Sequence, residues 1–133
     1  MSVFGFIDQV LEFKKDDSLT ACYTLTGKEE FLKDHFKDFP VMPGVLLLEM
    51  AGQAAVRLLQ LSSGSPGKTY RLTGATEVRF GQFVKPGSQL KVLVRLLKRE
   101  VGTDQFDGRI DLMNPPFGKA LSATLAMTPV NPA

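Results

Sequence analysis

The feature that most constrains the fold is a long apolar segment between Pro43 and Gly64. Proline is well tolerated at the first position of a helix, and a glycine followed by Pro66 ends one. A helix of about twenty residues spans about 30 Å. Residues 45–55 are apolar on nearly every side, which is typical of a buried helix. The rest of the chain must therefore cover this helix.

The segments around the helix have the pattern of β-strands. Residues 3–13 and 19–25 are apolar or alternate, and the polar residues 14–17 between them predict a β-hairpin. Residues 26–32 predict a short helix capped by Thr26. Four segments that alternate with period two follow the long helix: 68–80, with a predicted apolar face of Leu72, Thr76, Val78 and Phe80, then 88–101, 105–113 and 119–128.

One buried helix followed by an antiparallel meander predicts an α+β fold, with a sheet wrapped around a central helix. A sheet of roughly six strands covers only part of an all-apolar helix, and a second copy of the chain is the simplest cover. We therefore expect a dimer.

Composition limits the remaining choices. A chain of 133 residues predicts one domain, residues 1–133. The net charge of +2, with acids between the bases, argues against nucleic acid. The single cysteine, Cys22, excludes an internal disulfide and offers no metal cluster, which suits a reducing cytoplasm. We expect no signal peptide, no membrane span, no metal and no cofactor.

Two side chains stand out as candidates for chemistry. His35 is the only histidine, and Glu49 lies within the apolar part of the long helix. Burying a charged carboxylate is costly, which favours its protonated form and suits a general acid. The alternative is structural: Glu49 pairs with a buried base or caps a backbone group. Gln53, four residues later on the same face, can hydrogen-bond Glu49 in either case.

Gly44 is the third candidate, because it lies in the first turn of the helix. Its N–H has no acceptor within the helix, and the positive end of the helix dipole favours negative charge there. This arrangement can serve as an oxyanion site. The alternative is a glycine needed only for the tight entry after Pro43.

These residues fall in an ordered pattern. His35-Phe36, then residues 40–46 (Pro-Val-Met-Pro-Gly-Val-Leu), then Glu49 and Gln53 resemble the signature of the β-hydroxyacyl-acyl carrier protein dehydratases. In that family the acid follows the histidine by fourteen positions and a glutamine follows four later, as here. Further similar blocks are residues 6–12, Arg79-Phe80, residues 84–87 and residues 106–108.

The resemblance implies the hotdog fold and assigns a role to each candidate residue. His35 removes the proton α to the thioester carbonyl, and Glu49 protonates the departing 3-hydroxyl to give a trans-2-enoyl product. The Gly44 N–H holds the thioester oxygen, and the Val41 carbonyl fixes the tautomer of His35. The resemblance also implies an obligatory homodimer, or a trimer of dimers, in which histidine and acid come from different protomers. Glutamate at position 49 resembles the general dehydratase branch.

Some surroundings depart from the family pattern. Asp34 stands where glycine is usual and Lys37 where proline is usual, while the basic block around Arg79 is diluted. The basic residues left to dock an acidic carrier protein are Arg71, Arg79, Lys85 and Lys37, although any of them can equally be a solvated surface residue.

The leading hypothesis is therefore dehydration of 3-hydroxyacyl groups on acyl carrier protein, in fatty acid synthesis or a specialised lipid or polyketide-like pathway. A hotdog thioesterase is the second hypothesis, although it does not need His35 and Glu49 at this spacing. The third is a non-catalytic acyl-binding subunit.

Overall fold

The computed structural model describes residues 5–29, 41–64 and 69–130. Those residues form one helix and six strands. In chain order the elements are β1 (Gln9–Lys14), β2 (Ser18–Thr24), α1 (Gly44–Ser63), β3 (Tyr70–Phe80), β4 (Gln89–Glu100), β5 (Thr103–Leu112) and β6 (Gly118–Pro129).

The six strands form one antiparallel sheet in the order β1-β2-β4-β5-β6-β3. The helix α1 packs against strands β2 to β6, so the sheet wraps around it. Apolar side chains that alternate along β4, β5 and β6 point toward the helix and are buried. The predicted α+β layout, the hairpin β1-β2 and the four later strands are confirmed.

The helix α1 begins and ends where the sequence indicates. Pro43 is its N-cap residue, and Gly64 closes it with a φ of 69°, in the left-handed region that glycine adopts without strain. Its 20 residues, with a mean hydropathy of 1.3 in the most apolar window, would by length and composition be enough to cross a membrane. The sheet covers only the part of this apolar surface that faces it, since 44% of that window is buried.

The sheet buries only one side of α1. Leu47, Met50, Ala51 and Leu58 are among the helix residues in the core. On the other side Val45 is 70% exposed and Glu49 is only half-buried. A single chain therefore leaves part of an apolar helix uncovered, as the sequence predicts.

The predicted apolar face of β3 is partly wrong. Thr76 and Phe80 are exposed, whereas Leu72 and Val78 are half-buried. The pairing of β3 with β6 shifts register twice, and the second shift contains Glu77 with a φ of 51°. Bulges of this kind reverse the in–out alternation, so a strict period of two does not hold along an edge strand.

The predicted short helix at residues 26–32 is wrong for its described part, because residues 26–29 form a loop. The predicted cap is nevertheless present: Thr26 Oγ1 accepts the Lys28 N–H at 3.2 Å. The Glu29 carboxylate in turn accepts the Thr26 N–H at 3.0 Å. Residues 30–32 lie outside the described part of the chain.

Candidate active site

Glu49 lies on the second turn of α1 and faces a groove of about 810 Å³ between the helix and strand β3. The acid is half-buried, not enclosed in the core as its apolar neighbours suggest. Glu49 lies on the side of α1 that the sheet does not cover, so its side chain faces the groove and not the sheet. A substrate in the groove can therefore reach the Glu49 carboxyl group directly.

Gln53 holds Glu49 in place through two hydrogen bonds with different partners. Its Oε1 accepts the Phe6 N–H at 2.8 Å, and its Nε2 donates to Glu49 Oε1 at 3.3 Å. Because a backbone N–H can only donate, it fixes which end of the Gln53 amide faces Phe6 and leaves the NH₂ group for Glu49. The Phe6 ring is buried and meets the Tyr23 ring edge-on, with centroids 5.4 Å apart. Glu49 is thus tied to the core through Gln53.

Gly44 is the first residue of α1, so its N–H has no acceptor within the helix. A Cβ atom at this position would lie 2.8 Å from Cε1 and Cζ of the Phe80 ring. The absence of a side chain at Gly44 therefore lets the Phe80 ring pack against the start of α1. This packing role is separate from the oxyanion role and from the tight turn that the sequence predicts. This contact was not evident from the sequence, since Phe80 is thirty-six positions away.

The residues before the helix are hydrogen-bonded to the segment that follows β3. Val41 is half-buried, and the next N–H, of Met42, donates to the Val84 carbonyl at 2.8 Å. This bond fixes the entry into α1 and so the position of Gly44. His35 lies outside the described residues, as do Asp34 and Lys37. The pairing of His35 with Glu49, and with the Val41 carbonyl, stays a prediction.

The basic residues expected to dock a carrier protein are not neighbours. Arg71 and Arg79 are both exposed on β3, and eight residues of strand separate them by roughly 25 Å. Arg71 lines the groove that holds Glu49. Lys85 follows β3 and lines a different, smaller cavity of about 290 Å³. These three residues do not form one compact patch on a single chain.

A second carboxylate, Glu29, is fully engaged by its surroundings. It accepts hydrogen bonds from the Tyr23 hydroxyl at 2.7 Å and the Gly27 N–H at 2.8 Å, besides those from Thr26. Burial alone would raise the pKa of Glu29, but these hydrogen bonds outweigh it and lower the pKa below its ordinary value. Burial, and then the bond to Glu29, raises the pKa of the Tyr23 hydroxyl.

The sequence interpretation missed several residues of the groove. Arg57, Gln60 and Tyr70 line it together with Arg71. Arg57 and Gln60 could have been predicted, because they follow Glu49 and Gln53 on the same helix face. Within residues 5–29, 41–64 and 69–130, no group of three or more His, Cys, Asp or Glu side chains could hold a metal ion.

Comparison with known proteins gives this geometry a family context. The model of the ApeI-like family, described as ApeI dehydratase, matches residues 11–110. The chain belongs to the ApeI-like dehydratase family. It is also similar to proteins named 3-hydroxyacyl-(acyl-carrier-protein) dehydratase FabZ. The Coxiella burnetii protein is 40% identical over 110 residues, which cover 80% of this chain and 77% of the relative. The Oleidesulfovibrio alaskensis protein is 36% identical over 108 residues, which cover 80% of this chain and 70% of the relative.

Solved structures agree on the fold of this ApeI-like chain. The dehydratase heterocomplex ApeI:P from Xenorhabdus doucetiae matches with a TM-score of 0.77 at 19% identity, covering 96% of this chain and 84% of that one. The PaaI protein of E. coli matches with a TM-score of 0.64 at 12% identity, covering 92% and 79%. With six antiparallel strands around one helix, these likenesses confirm the predicted hotdog fold.

Proposed function

We propose that this protein is a hydro-lyase that converts 3-hydroxyacyl thioesters on acyl carrier protein to trans-2-enoyl thioesters, in fatty acid or specialised lipid or polyketide-like biosynthesis. The observation that carries the proposal is the position of Glu49, which faces the groove and is held by Gln53 in a chain of the ApeI-like dehydratase family. The relatives named 3-hydroxyacyl-(acyl-carrier-protein) dehydratase support this substrate class.

The reaction needs one base, one acid and one oxyanion donor. His35 takes the proton from C2 of the acyl group, and the Gly44 N–H holds the thioester oxygen as negative charge develops on it. The electron pair from the C2–H bond forms the C2=C3 double bond while the C3–O bond breaks. Glu49 donates its proton to the departing hydroxyl, which leaves as water. Transfer of the proton from His35 back to Glu49 resets the site.

The site is complete only in a homodimer, in which His35 of one protomer faces Glu49 of the other. Two features support this assembly. Strand β3 lies at the edge of the sheet, next to β6 alone. The helix side that carries Val45 and Glu49 is also not covered by the sheet. An isologous pair would cover both surfaces at once. A pair with a related chain is the alternative, since the Xenorhabdus doucetiae relative forms a heterocomplex.

The acyl carrier protein would deliver the substrate in the cytoplasm, and Arg71, Arg79 and Lys85 are the candidate contacts with its acidic surface. Because Arg71 and Arg79 lie roughly 25 Å apart along β3 of one chain, a carrier would use cations from both protomers. This assignment is tested by measuring KM for carrier-bound substrate after charge reversal of Arg79 or Lys85. A KM that rises for the carrier-bound but not for the free thioester supports it.

The activity is tested with purified protein and a 3-hydroxyacyl-carrier thioester, following enoyl absorbance and free thiol in the same sample. Enoyl product without thiol supports dehydration. Release of thiol without enoyl product would instead indicate a thioesterase. Binding of the acyl chain with neither product would indicate the non-catalytic acyl-binding subunit.

The shared site is tested by mixing two inactive variants, His35→Ala and Glu49→Gln. After subunit exchange, a mixed isologous dimer has one site with both native residues, so activity should return to about a quarter of the native value in a statistical mixture. If both residues of a site come from the same chain, no activity returns. Each variant alone, unfolded and refolded in the same way, is the control.

A further inference from the structure

A bulge in β3 decides which side chain of this strand faces the start of α1. Thr76 pairs with Thr124 and Arg79 with Ser122, so β3 has one residue more than β6 over this stretch. Glu77 lies in the bulge with a φ of 51°, in the left-handed region that residues with a side chain rarely adopt. One extra residue reverses the in–out alternation of the strand that follows it.

The reversal brings Phe80, and not Arg79, to the helix side of the sheet. Phe80 pairs with Leu121, which is buried, and residues directly opposite each other on paired strands share a face. Without the extra residue Arg79 would pair with Leu121 and take that place. Strained backbone of this kind persists only where the surrounding structure holds it, and it is often found at functional sites.

The Phe80 ring lies against Gly44. The three atoms nearest to a Cβ atom at Gly44 would all belong to this ring, with Cε1 and Cζ at 2.8 Å. Two bonds of about 1.5 Å that meet at about 111° span about 2.5 Å, so these two ring atoms lie at most about 5.3 Å from the Gly44 nitrogen. In an α-helix both the Cα–Cβ bond and the N–H bond point toward the N-terminal end. The ring therefore lies beside the space in front of this N–H.

That space is where the proposed reaction places the thioester group. An oxygen that accepts the Gly44 N–H lies about 2.9 Å from the nitrogen. The sulfur of a thioester is bonded to the same carbon atom as this oxygen, so it can lie at the separation of about 5 Å that is typical of a sulfur atom at an aromatic ring. The Phe80 ring is 55% exposed, so much of its surface is available to a bound group.

We propose that Phe80 positions the substrate by packing its ring against the thioester sulfur while the Gly44 N–H binds the carbonyl oxygen. The inference rests on the proposed dehydratase function and adds a substrate-contacting residue to it. Sulfur is polarisable and packs favourably at the edge of an aromatic ring, an interaction that an ester oxygen does not replace. Phe80 therefore favours thioesters over oxygen esters and transfers no proton.

The alternative is that a second protomer covers the exposed ring, so that Phe80 serves the dimer and not the substrate. A ring that only packs at an interface affects all substrates alike. A ring that contacts the sulfur atom distinguishes a thioester from the ester with oxygen in its place. Two substrates that differ in this one atom therefore separate the two roles.

The test compares the N-acetylcysteamine thioester of a 3-hydroxy acid with the corresponding N-acetylethanolamine ester, in the native protein and in Phe80→Leu. Leucine keeps apolar bulk but lacks the ring. The ratio of kcat/KM for the thioester to kcat/KM for the ester should fall about two- to tenfold, the size of one sulfur–aromatic contact. The intrinsic reactivities of the two esters are the same for both proteins and cancel from this comparison. Phe80→Ala should show the same fall.

Phe13→Leu is the matched control, because Phe13 is also an exposed phenylalanine but lies on β1, at the opposite edge of the sheet from β3. This variant should keep the native ratio. An unchanged ratio in Phe80→Leu would overturn the proposal, whether kcat/KM falls for both esters or for neither. A fall of the same size in Phe13→Leu would also overturn it, because the ratio would then respond to changes far from Gly44.

A binding measurement separates failure of this inference from failure of the dehydratase function. Calorimetry with the saturated acyl thioester and the matching ester, which cannot lose water, requires no turnover. If no enoyl product forms with any substrate but the saturated thioester binds more tightly than the ester in a Phe80-dependent way, the dehydratase function is wrong and the ring contact stands. If enoyl product forms but the ring changes neither the turnover ratio nor the binding ratio, the ring contact is wrong and the function stands.

Discussion

Two half-buried glutamates in this molecule have opposite surroundings. Glu29 accepts hydrogen bonds from Tyr23, Thr26 and Gly27, so its oxygens are occupied within the fold. Glu49 has one partner among the described residues, the Gln53 amide, and otherwise faces the groove. In the sequence the two acids differ only in their neighbours: Glu49 lies between apolar residues, whereas Glu29 is followed by a second acid, Glu30.

The comparison shows what distinguishes a structural carboxylate from a candidate catalytic one. The donors around Glu29 stabilise its charged form and lower its pKa, which makes it a poor proton donor at neutral pH. Glu49 keeps an oxygen available to a substrate, and Gln53 sets its direction. A catalytic acid needs this combination of a fixed position and an unused oxygen.

The largest expected effect is that of Glu49→Gln. The amide keeps the shape of the side chain but cannot protonate a leaving hydroxyl, so kcat for dehydration should fall by about 10²–10⁴-fold. The melting temperature should stay close to that of the native protein. Steady-state enoyl formation and thermal unfolding measure the two effects. Glu29→Gln is the matched control, and comparable loss of turnover in both variants would remove the distinction between the two acids.

Gly44→Ala should have the next largest effect. The new methyl group would overlap the tip of the Phe80 ring, which is 55% exposed and can rotate away, so the free energy of unfolding should fall by at most about 1 kcal/mol. The methyl group would also stand where the thioester oxygen must approach the N–H, and we expect kcat/KM to fall at least about tenfold.

The double variant Gly44→Ala/Phe80→Ala separates these two causes. Removing the ring should restore the free energy of unfolding, measured by urea denaturation, to that of Phe80→Ala alone. Activity should stay low if the glycine admits the substrate oxygen. Full recovery of activity would show that Gly44 serves only the packing of Phe80.

Prediction from the sequence succeeded where a strong local signal exists. Pro43 and Gly64 set the ends of α1, and period-two patterns located the central strands because those strands are buried on one face. The same rule failed on β3, where bulges near Gly74 and Glu77 reverse the alternation. A bulge depends on how an edge strand pairs with its neighbour, so the period of the edge strand alone does not show where the bulge lies.

Contacts between the site and distant segments of the chain could not be predicted from the sequence either. Glu49, Gly44 and Gln53 could be singled out from spacing on one helix. The Phe6 N–H that orients Gln53 comes from a segment 47 positions away. The Phe80 ring that packs against Gly44 comes from 36 positions away. Only the packed sheet brings those segments to the helix.

Gln53→Met should have a smaller effect on catalysis than either change above. Methionine has a similar length but frees Glu49 from its donor, so we expect kcat to fall by several-fold as the acid loses its fixed direction. The Phe6 N–H also loses its acceptor, at a cost to stability of about 1–3 kcal/mol. Gln53→Glu keeps the acceptor for Phe6 but removes the donor to Glu49. If stability recovers in Gln53→Glu while kcat stays low, the two hydrogen bonds have separate effects. Equal kcat in the native protein, Gln53→Met and Gln53→Glu would contradict the positioning role of Gln53.

Glu29→Gln should leave turnover unchanged and alter only the dependence of stability on pH. Because the fold lowers the pKa of Glu29, the charged carboxylate stabilises the folded state above its ordinary pKa of 4.5, and this contribution is lost as pH falls through the lower folded value. At pH 7 the variant should be less stable by up to about 1 kcal/mol, because solvent around the partly exposed carboxylate weakens its hydrogen bonds below the usual value for a charged group. Urea denaturation at pH 7 and pH 3.5 should show this gap narrowing in acid. A gap of the same size at both values would mean that the hydrogen bonds to Glu29 do not depend on its charge, and the contrast with Glu49 would then rest on geometry alone.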